Sequence, residues 1–427
     1  MNEEVENIFY PLRPMQRWLI DTNFKKIDSN MMNLTVLVKF EPSIDLQKLQ
    51  DAVNAVLNAH DIFHCRFVTN PDTKEIFQRF DGENSHVTIK KISDEDFQIL
   101  LKKLNEPYPF INHQLWRIGI FETPTAKYGY ANFYHAIMDG TSFSILFWRE
   151  VGIRYEGKPI KRTPIKFADY ILEEMKNSPA DLNEGHQYWL NLLKKFDAKK
   201  HLLPFDVTTD KKLTAGNFEC EVKNISREYF SDKNFSETNF FLAATMIAVA
   251  KFANAKSSFI SWVHNGRTTA QELRLMGLLI EQIPIAWDFN EDCTVEKFFE
   301  GLEKKSAEGL KYRKSLDIVY NKKLEDNLIT FIFQKRNFGF GSGYKIAGTT
   351  VDVVNFPNDE YSAAENCLDI EVNLCDDGSY IISFDYDKSY YLDDTIKKFA
   401  AQIEEIILQL QNENQLVSKI LGVDGAF

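Results

Sequence analysis

The stretch Tyr128-Gly129-Tyr130-Ala131-Asn132-Phe133-Tyr134-His135-Ala136-Ile137-Met138-Asp139-Gly140-Thr141-Ser142 changes character twice. From Tyr128 to Tyr134 it is apolar and aromatic, a composition that predicts a strand. Past Gly140, Thr141 or Ser142 can cap a helix carrying Phe143, Leu146, Phe147 and Val151. His135 and Asp139 therefore fall on a strand-to-helix turn, where two rigid elements fix a reactive side chain.

Strand and helix signals alternate irregularly on both sides of this turn. Leu34, Val36, Val38 and Phe40 recur with a period of two, which predicts a strand. A helix follows, started by Ser43 or Asp45, with Leu46, Leu49, Val53, Val56 and Leu57 on one stripe; Ile62 to Val68 reads as another strand. The composition turns polar near residues 176–186, which suggests the connection between lobes. Beyond it the pattern predicts helices over Asn239–Ala253, Val295–Tyr312 and Leu392–Gln411. Strands are predicted over Phe259–His264, Gln282–Phe289, Leu328–Gln334, Leu368–Leu374 and Tyr380–Tyr386, the last two closed into a hairpin by Asp376-Asp377-Gly378-Ser379. The fold class expected is α+β, with two lobes built as two-layer sandwiches, residues 1–178 and 179–427.

Composition bounds the function. The 427 residues include 34 Phe and 17 Tyr, enough to fill two cores. No apolar run approaches the roughly 20 residues of a membrane helix. The acidic start, Met1 to Glu6, is not a secretory or transit leader. Cys65, Cys220, Cys293, Cys367 and Cys375 form no CxxC pair and fit bystander thiols in the cytoplasm. A net charge of −12 argues against nucleic acid as a partner. The exception to the acidic average is Lys304 to Lys323, where seven basic residues, among them Lys311, Arg313 and Lys314, stand against Glu308 and Asp317. That run is either a solvated helix face or a docking surface for phosphates or an acidic partner.

Three readings of the motif stand at this point. Two metal ligands four residues apart need a helix, which Gly140 and the preceding strand oppose, and no second His/Cys cluster lies nearby in sequence, so no metal is expected. His135 can also be a packed core histidine. The third reading is a general base, since neutral imidazole is well matched to taking a proton from an alcohol or amine near pH 7.

Tyr134-His135-Ala136-Ile137-Met138-Asp139-Gly140 resembles the HHxxxDG signature of the chloramphenicol-acetyltransferase-like superfamily, which includes condensation domains of nonribosomal peptide synthetases and alcohol O-acetyltransferases. Four further segments share the resemblance in order. Tyr10-Pro11-Leu12-Arg13-Pro14-Met15-Gln16 is similar to a PLSPMQ-type opening, and Ala59-His60-Asp61-Ile62-Phe63-His64-Cys65-Arg66-Phe67 to an RHxxLRTRF-type segment. Phe167-Ala168-Asp169-Tyr170 resembles YxDFA, and Asn265-Gly266-Arg267 with Met276 to Pro284 resembles NGR…GxFVNTLP.

The resemblance implies two acetyltransferase-like lobes in a V-shaped pseudo-dimer, with the catalytic histidine, here His135, in a tunnel at their interface. It implies that Asp139 is mainly structural and paired with an arginine, Arg267 first and Arg66 second, and that Gly140 lets backbone approach the substrate. Gln334 stands where relatives often carry a polar residue that steadies the oxyanion, a contact worth about 3 kcal/mol. The implied reaction is transfer of an acyl group from coenzyme A or the phosphopantetheine arm of an acyl or peptidyl carrier protein, supplied in trans to a free-standing monomer, onto an alcohol or amine. No tightly bound cofactor is implied, and Lys311, Arg313 and Lys314 are the docking candidates for the donor.

The departures are Tyr134 for the first histidine, and Ala59 and His64 for two arginines, so any ion pairs those arginines make in relatives are lost or rerouted. Asn337-Phe338-Gly339-Phe340-Gly341 is similar to the DFGWG motif of plant acyltransferases but lacks the Asp and reads as a Gly-rich loop. The alternatives are a catalytically degenerate condensation-like domain serving as a binding or recruitment module, and an epimerisation variant that also uses His135.

Overall fold

The computed structural model describes residues 8–83, 86–161, 163–176, 179–196, 198–206, 215–321, 328–336, 345–356 and 361–422. The chain opens with α1 (Pro14–Lys25), β1 (Asn33–Phe40), α2 (Leu46–Ala59), β2 (Arg66–Thr69), β3 (Ile76–Arg79) and β4 (Ile89–Lys91). It continues through α3 (Asp94–Leu104), β5 (Trp116–Glu122), β6 (Lys127–Tyr134), α4 (Trp148–Tyr155), α5 (Phe167–Glu174) and α6 (Pro179–Lys195). Then come β7 (Ala215–Val222), α7 (Glu237–Phe252), β8 (Ser257–His264), β9 (Glu281–Asp288), α8 (Val295–Lys311), α9 (Asp317–Asn321) and β10 (Ile329–Lys335). The remainder is β11 (Lys345–Ile346), β12 (Thr349–Val353), β13 (Leu368–Leu374), β14 (Tyr380–Asp387), α10 (Asp393–Leu410) and α11 (Val417–Leu421).

These elements form two compact units. One comprises Met1–Asn177, Asn265–Ile280 and Asn337–Ser362, the other Ser178–His264, Glu281–Arg336 and Ala363–Phe427. The units are discontinuous: residues 265–280 and, among those described, 345–356 and 361–362 belong to the first unit although they follow residue 178.

The first unit is built on a sheet ordered β11-β12-β1-β6-β5-β4. Its centre is the antiparallel pair β1 and β6, which runs in register from Asn33 opposite Tyr134 to Phe40 opposite Lys127. Val36, Val38 and Phe40 are buried on one face, and Leu37 is buried on the other among Phe97 and Leu101 of α3, Phe121 and Tyr130. The expected two-sided alternation therefore understates this strand, because both faces are covered. Asp45 caps α2, accepting from the backbone amides of Gln47 and Lys48. Ile62 to Val68 is not one strand: Asp61–His64 forms a 3₁₀ turn and extended backbone starts at Arg66.

The second unit has a mixed sheet ordered β7-β14-β13-β10-β8-β9, with β10 parallel to both β8 and β13. Every residue of α7 from Asn239 to Ala250 is buried, as an all-round apolar helix requires. Gly378, at φ +82°, turns the β13–β14 hairpin. Phe399 of α10 is fully buried, edge-on to Phe252 at 5.5 Å and Phe384 at 6.2 Å. Phe399→Ala is expected to cost about 3–5 kcal/mol in urea unfolding, as large core truncations do. An unshifted midpoint would show that α10 is not held by this cluster.

Candidate active site

The chain turns at His135 because several hydrogen bonds hold it. The His135 amide donates to the Met32 carbonyl at 2.8 Å, and the Met138 amide closes a 3₁₀ turn onto the His135 carbonyl at 3.2 Å. The Ala136 carbonyl accepts from Gln16 Nε2 at 3.0 Å, and Gln16 is itself fixed by a reciprocal amide pair with Gln78. Tyr134, in the position of the first histidine of the signature, is a buried aromatic stacked on Phe110 at 5.4 Å. Burial pushes its phenol far above the ordinary tyrosine value, so it does not ionise.

The helix after the motif starts differently from the sequence expectation. Neither Thr141 nor Ser142 caps it. Asp139 Oδ1 accepts from the Ser142 amide at 2.8 Å, and the backbone first winds as a widened π-type segment over Thr141–Phe147 before α4. Gly140 has φ −55°, a value open to any residue, so its glycine is not demanded by backbone conformation.

Asp139 and Arg267 form a bidentate pair, Nη1 to Oδ2 at 2.8 Å and Nη2 to Oδ1 at 3.1 Å, with side chains 0% and 1% accessible. The Leu279 amide gives Oδ2 a second donor at 2.8 Å. Each carboxylate oxygen thus accepts two hydrogen bonds. Burial alone would raise the Asp139 pKa, but the Arg267 guanidinium with the Ser142 and Leu279 amides holds it below the usual carboxylate value. The stability this supplies is full above about pH 4 and lost as pH falls through the depressed value.

Ser142 extends the clamp. Its hydroxyl accepts from Arg267 Nη2 at 2.7 Å and from the Gly277 amide at 3.0 Å, and donates to the Gly277 carbonyl at 2.9 Å. Two glycines make room for this approach. A Cβ on Gly266, at φ +67°, would sit 1.7 Å from the Leu279 carbonyl oxygen, and one on Gly277 would sit 2.2 Å from the Phe167 ring. From sequence Ser142 reads only as a possible cap, and its role as a bridge to Gly277 carries no local signal.

His135 itself is partly accessible, while its Nδ1 is enclosed and meets no partner of hydrogen-bonding geometry among the described residues. Burial holds the imidazole below the ordinary histidine value, against opposing pulls from its own backbone, the Asp139 charge and the Met138 backbone. The ring is neutral at pH 7.

Other residues singled out by sequence are engaged elsewhere. Arg66, second choice as the partner of Asp139, pairs with Asp81 at 2.7 Å. His60 takes up Glu150 at 2.8 Å, and His64 Nδ1 lies 3.1 Å from the Gly82 carbonyl. Arg13 forks onto Glu174 at 2.7 and 3.0 Å and reaches the Leu278 carbonyl at 2.6 Å, so the opening segment also grips the 265–280 stretch. Gln334 lies on β10 in the second unit and donates to Glu371 at 2.7 Å, which leaves one further amide hydrogen. Lys311, at the end of α8, pairs with Glu184 at 3.2 Å and lies over the Tyr312 ring; Arg313 and Lys314 follow it directly. Lys322, Lys323 and the Asn337–Gly341 loop fall outside the described residues. Among the described residues no cluster of His, Cys, Asp and Glu could hold a metal, and no helix is long and apolar enough to cross a membrane.

The condensation-domain model matches residues 6–424, and the chain belongs to the condensation-domain family. It is similar to surfactin synthase subunit 2 of Bacillus subtilis (strain 168), 20% identical over 71% of this chain and 8% of the relative. The hybrid PKS-NRPS synthetase gkaA of Penicillium citrinum is 22% identical over 69% of this chain and 8% of the relative. The chain therefore spans less than a tenth of the length of these curated relatives. Among solved structures, the condensation domain of the monacolin K polyketide synthase MokA matches with a TM-score of 0.78 at 16% identity, over 96% of this chain and 99% of that one. The teicoplanin-biosynthesis X-domain, in its complex with OxyB, matches at 0.78 and 16% identity over 98% and 97%. A variant starter condensation domain of rhizomide synthetase RzmA, in complex with C8-CoA, matches at 0.73 and 14% over 97% of each chain. At these identities the structures establish the shared two-sheet α+β fold.

Removing one partner of a buried ion pair strands the other charge, so Arg267→Ala is expected to cost about 3–5 kcal/mol of stability. Asp139→Ala should cost a similar amount, and the double variant much less than the sum in urea titrations. Additive losses would show that the two side chains do not act as a unit.

Proposed function

We propose that this condensation-domain chain is an acyltransferase in which His135 is the general base. The observation that carries the reading is a neutral, partly accessible imidazole on a turn fixed by the buried Asp139–Arg267 pair, in which each carboxylate oxygen accepts two hydrogen bonds. With Nδ1 enclosed, Nε2 is the nitrogen assigned to the acceptor. It takes the proton of an alcohol or amine as that oxygen or nitrogen bonds to the thioester carbonyl carbon. The carbon–sulfur bond then breaks, the thiolate recovers the proton from the imidazolium, and an ester or amide leaves with the free thiol. Coenzyme A and a carrier-borne phosphopantetheine both fit this chemistry, and a same-fold starter domain is solved with C8-CoA. Asp139 is assigned to holding the turn, because both its oxygens are spent on donors other than the imidazole. Gln334 can serve the oxyanion only through its second amide hydrogen.

A second reading is a binding module without transfer activity. Tyr134 in the place of the first histidine favours it, and a teicoplanin-biosynthesis X-domain of the same fold is solved in complex with OxyB.

His135→Ala is expected to lower transfer from acetyl-coenzyme A or a loaded carrier by about 10²-fold or more with the melting temperature kept. Product mass spectrometry measures it, and wild-type protein inert to every donor would favour the binding module. Because the His135 pKa is depressed, kcat/KM should be level through neutral pH and fall only on the acid side of about 6.5, as the base becomes protonated. A fall centred above that value would remove His135 from the role.

A further inference from the structure

Outside the His135 turn, the first unit holds a cleft of about 490 Å³, within the range of about 300–1,000 Å³ common for small-molecule sites. One side carries Leu146, near the end of the π-type segment, and Ile153 of α4. The other is formed by residues 158–161 and 163–165, in which Pro159 and Pro164 fix φ and remove two backbone donors, and Ile160 and Ile165 line the space. Met276 completes the apolar part of the lining, and the cleft is mostly apolar.

Its charge is of the opposite sign to the rest of the chain. Arg149, Lys158, Lys161 and Arg274 line it, in a protein whose net charge is −12. Among the described residues Arg149 and Lys161 make no hydrogen bond or ion pair, and both are exposed. Arg274 spends only its Nε, on the Ala270 carbonyl at 3.2 Å. Lys158 is paired with Glu156. The one acid in the lining, Glu150, is already taken by His60 at 2.8 Å and by Arg154 at 2.7 Å. Among the described residues Arg149, Lys161 and Arg274 therefore line an apolar slot whose one acid, Glu150, is already paired.

We infer that this cleft binds single-chain amphiphiles with an anionic head, the tail lying between α4 and the 158–165 loop and the head held by Arg149, Lys161 and Arg274. A neutral apolar ligand would leave the cations unused. A nucleotide would find no Phe, Tyr or Trp in the described lining on which to stack its base. The lining is also adjacent in the chain to the segments that hold Asp139. Met276 precedes Gly277, whose amide and carbonyl both bond Ser142, and Leu146 lies one helical turn beyond Ser142. The inference concerns binding and does not rest on the transfer reading.

The test is calorimetry of the full chain carrying His135→Ala, with decanoate and decanol as probes, so that turnover plays no part. Decanoate is expected to bind about tenfold or more tighter than decanol, the margin of one or two charge-assisted hydrogen bonds, and to weaken as salt is raised. The triple change Arg149→Glu, Lys161→Glu and Arg274→Glu should abolish that margin while leaving decanol within about twofold. Lys161→Glu alone, on the exposed loop, should reduce it if the triple variant fails to fold. Ile153→Trp should block both probes. Equal binding of decanoate and decanol, or a margin unchanged in the charge variants, would overturn the proposal.

Discussion

The Asp139–Arg267 pair is the constraint on which the first unit turns. Burying two charges costs several kcal/mol per ion, and attraction repays that only with good geometry and further hydrogen bonds to the two groups. Here each Asp139 oxygen accepts two hydrogen bonds, and Arg267 also bonds Ser142 and the carbonyls of Asn265 and Leu275. The pair joins residues 128 positions apart. It thereby draws the 265–280 stretch into a unit otherwise made mostly of the first 177 residues. A weaker, one-point contact could not set the helix start and the long-range docking together. The bidentate geometry fixes distance and plane at once.

The histidine responds to the same pairing. A carboxylate that faced the imidazole would raise its pKa and hold it in one tautomer. Asp139 is instead turned to Arg267 and two amides, and its remaining pull on His135 loses to burial. The same arrangement that locks the turn therefore keeps the ring neutral. Rigidity comes from the hydrogen bonds of the Met32 carbonyl, the Gln16 side-chain amide and the Met138 backbone amide, not from a second charged partner.

How much was legible in sequence follows from how local the cause is. Helices with strong period or full apolarity, such as Leu46–Ala59 and Glu237–Phe252, read correctly because one segment determines them. Ile62 to Val68 misread as one strand because Asp61 spends its carboxylate on the amides of Phe167 and Ala168, about a hundred residues away, and a tertiary cap overrides local pattern. The π-type winding after Gly140 has no composition signal. Within it Ser144 turns back onto the Gly140 carbonyl at 2.5 Å. The 139–267 pairing could be anticipated from motif resemblance, never from spacing. Ser142 as a bridge to Gly277 could not, since nothing local distinguishes it from an ordinary cap.

Charge makes the same point at the scale of the whole chain. Sequence alone marks Lys304 to Lys323 as the basic feature, yet Lys305 is half-buried over the Trp287 ring and Lys311 is matched to Glu184. The cations at the α4 cleft form no run, because they come from residues 149, 158–161 and 274 and meet only in the fold. A linear count weighs neighbours in sequence, whereas field strength depends on neighbours in space and on how many charges are already answered. By that measure the cleft, where Arg149 and Lys161 meet no partner among the described residues, is a basic feature of the first unit that no run of sequence marks. Its lining residue Met276 directly precedes Gly277, which bonds Ser142 within the network that Asp139 and Arg267 hold together.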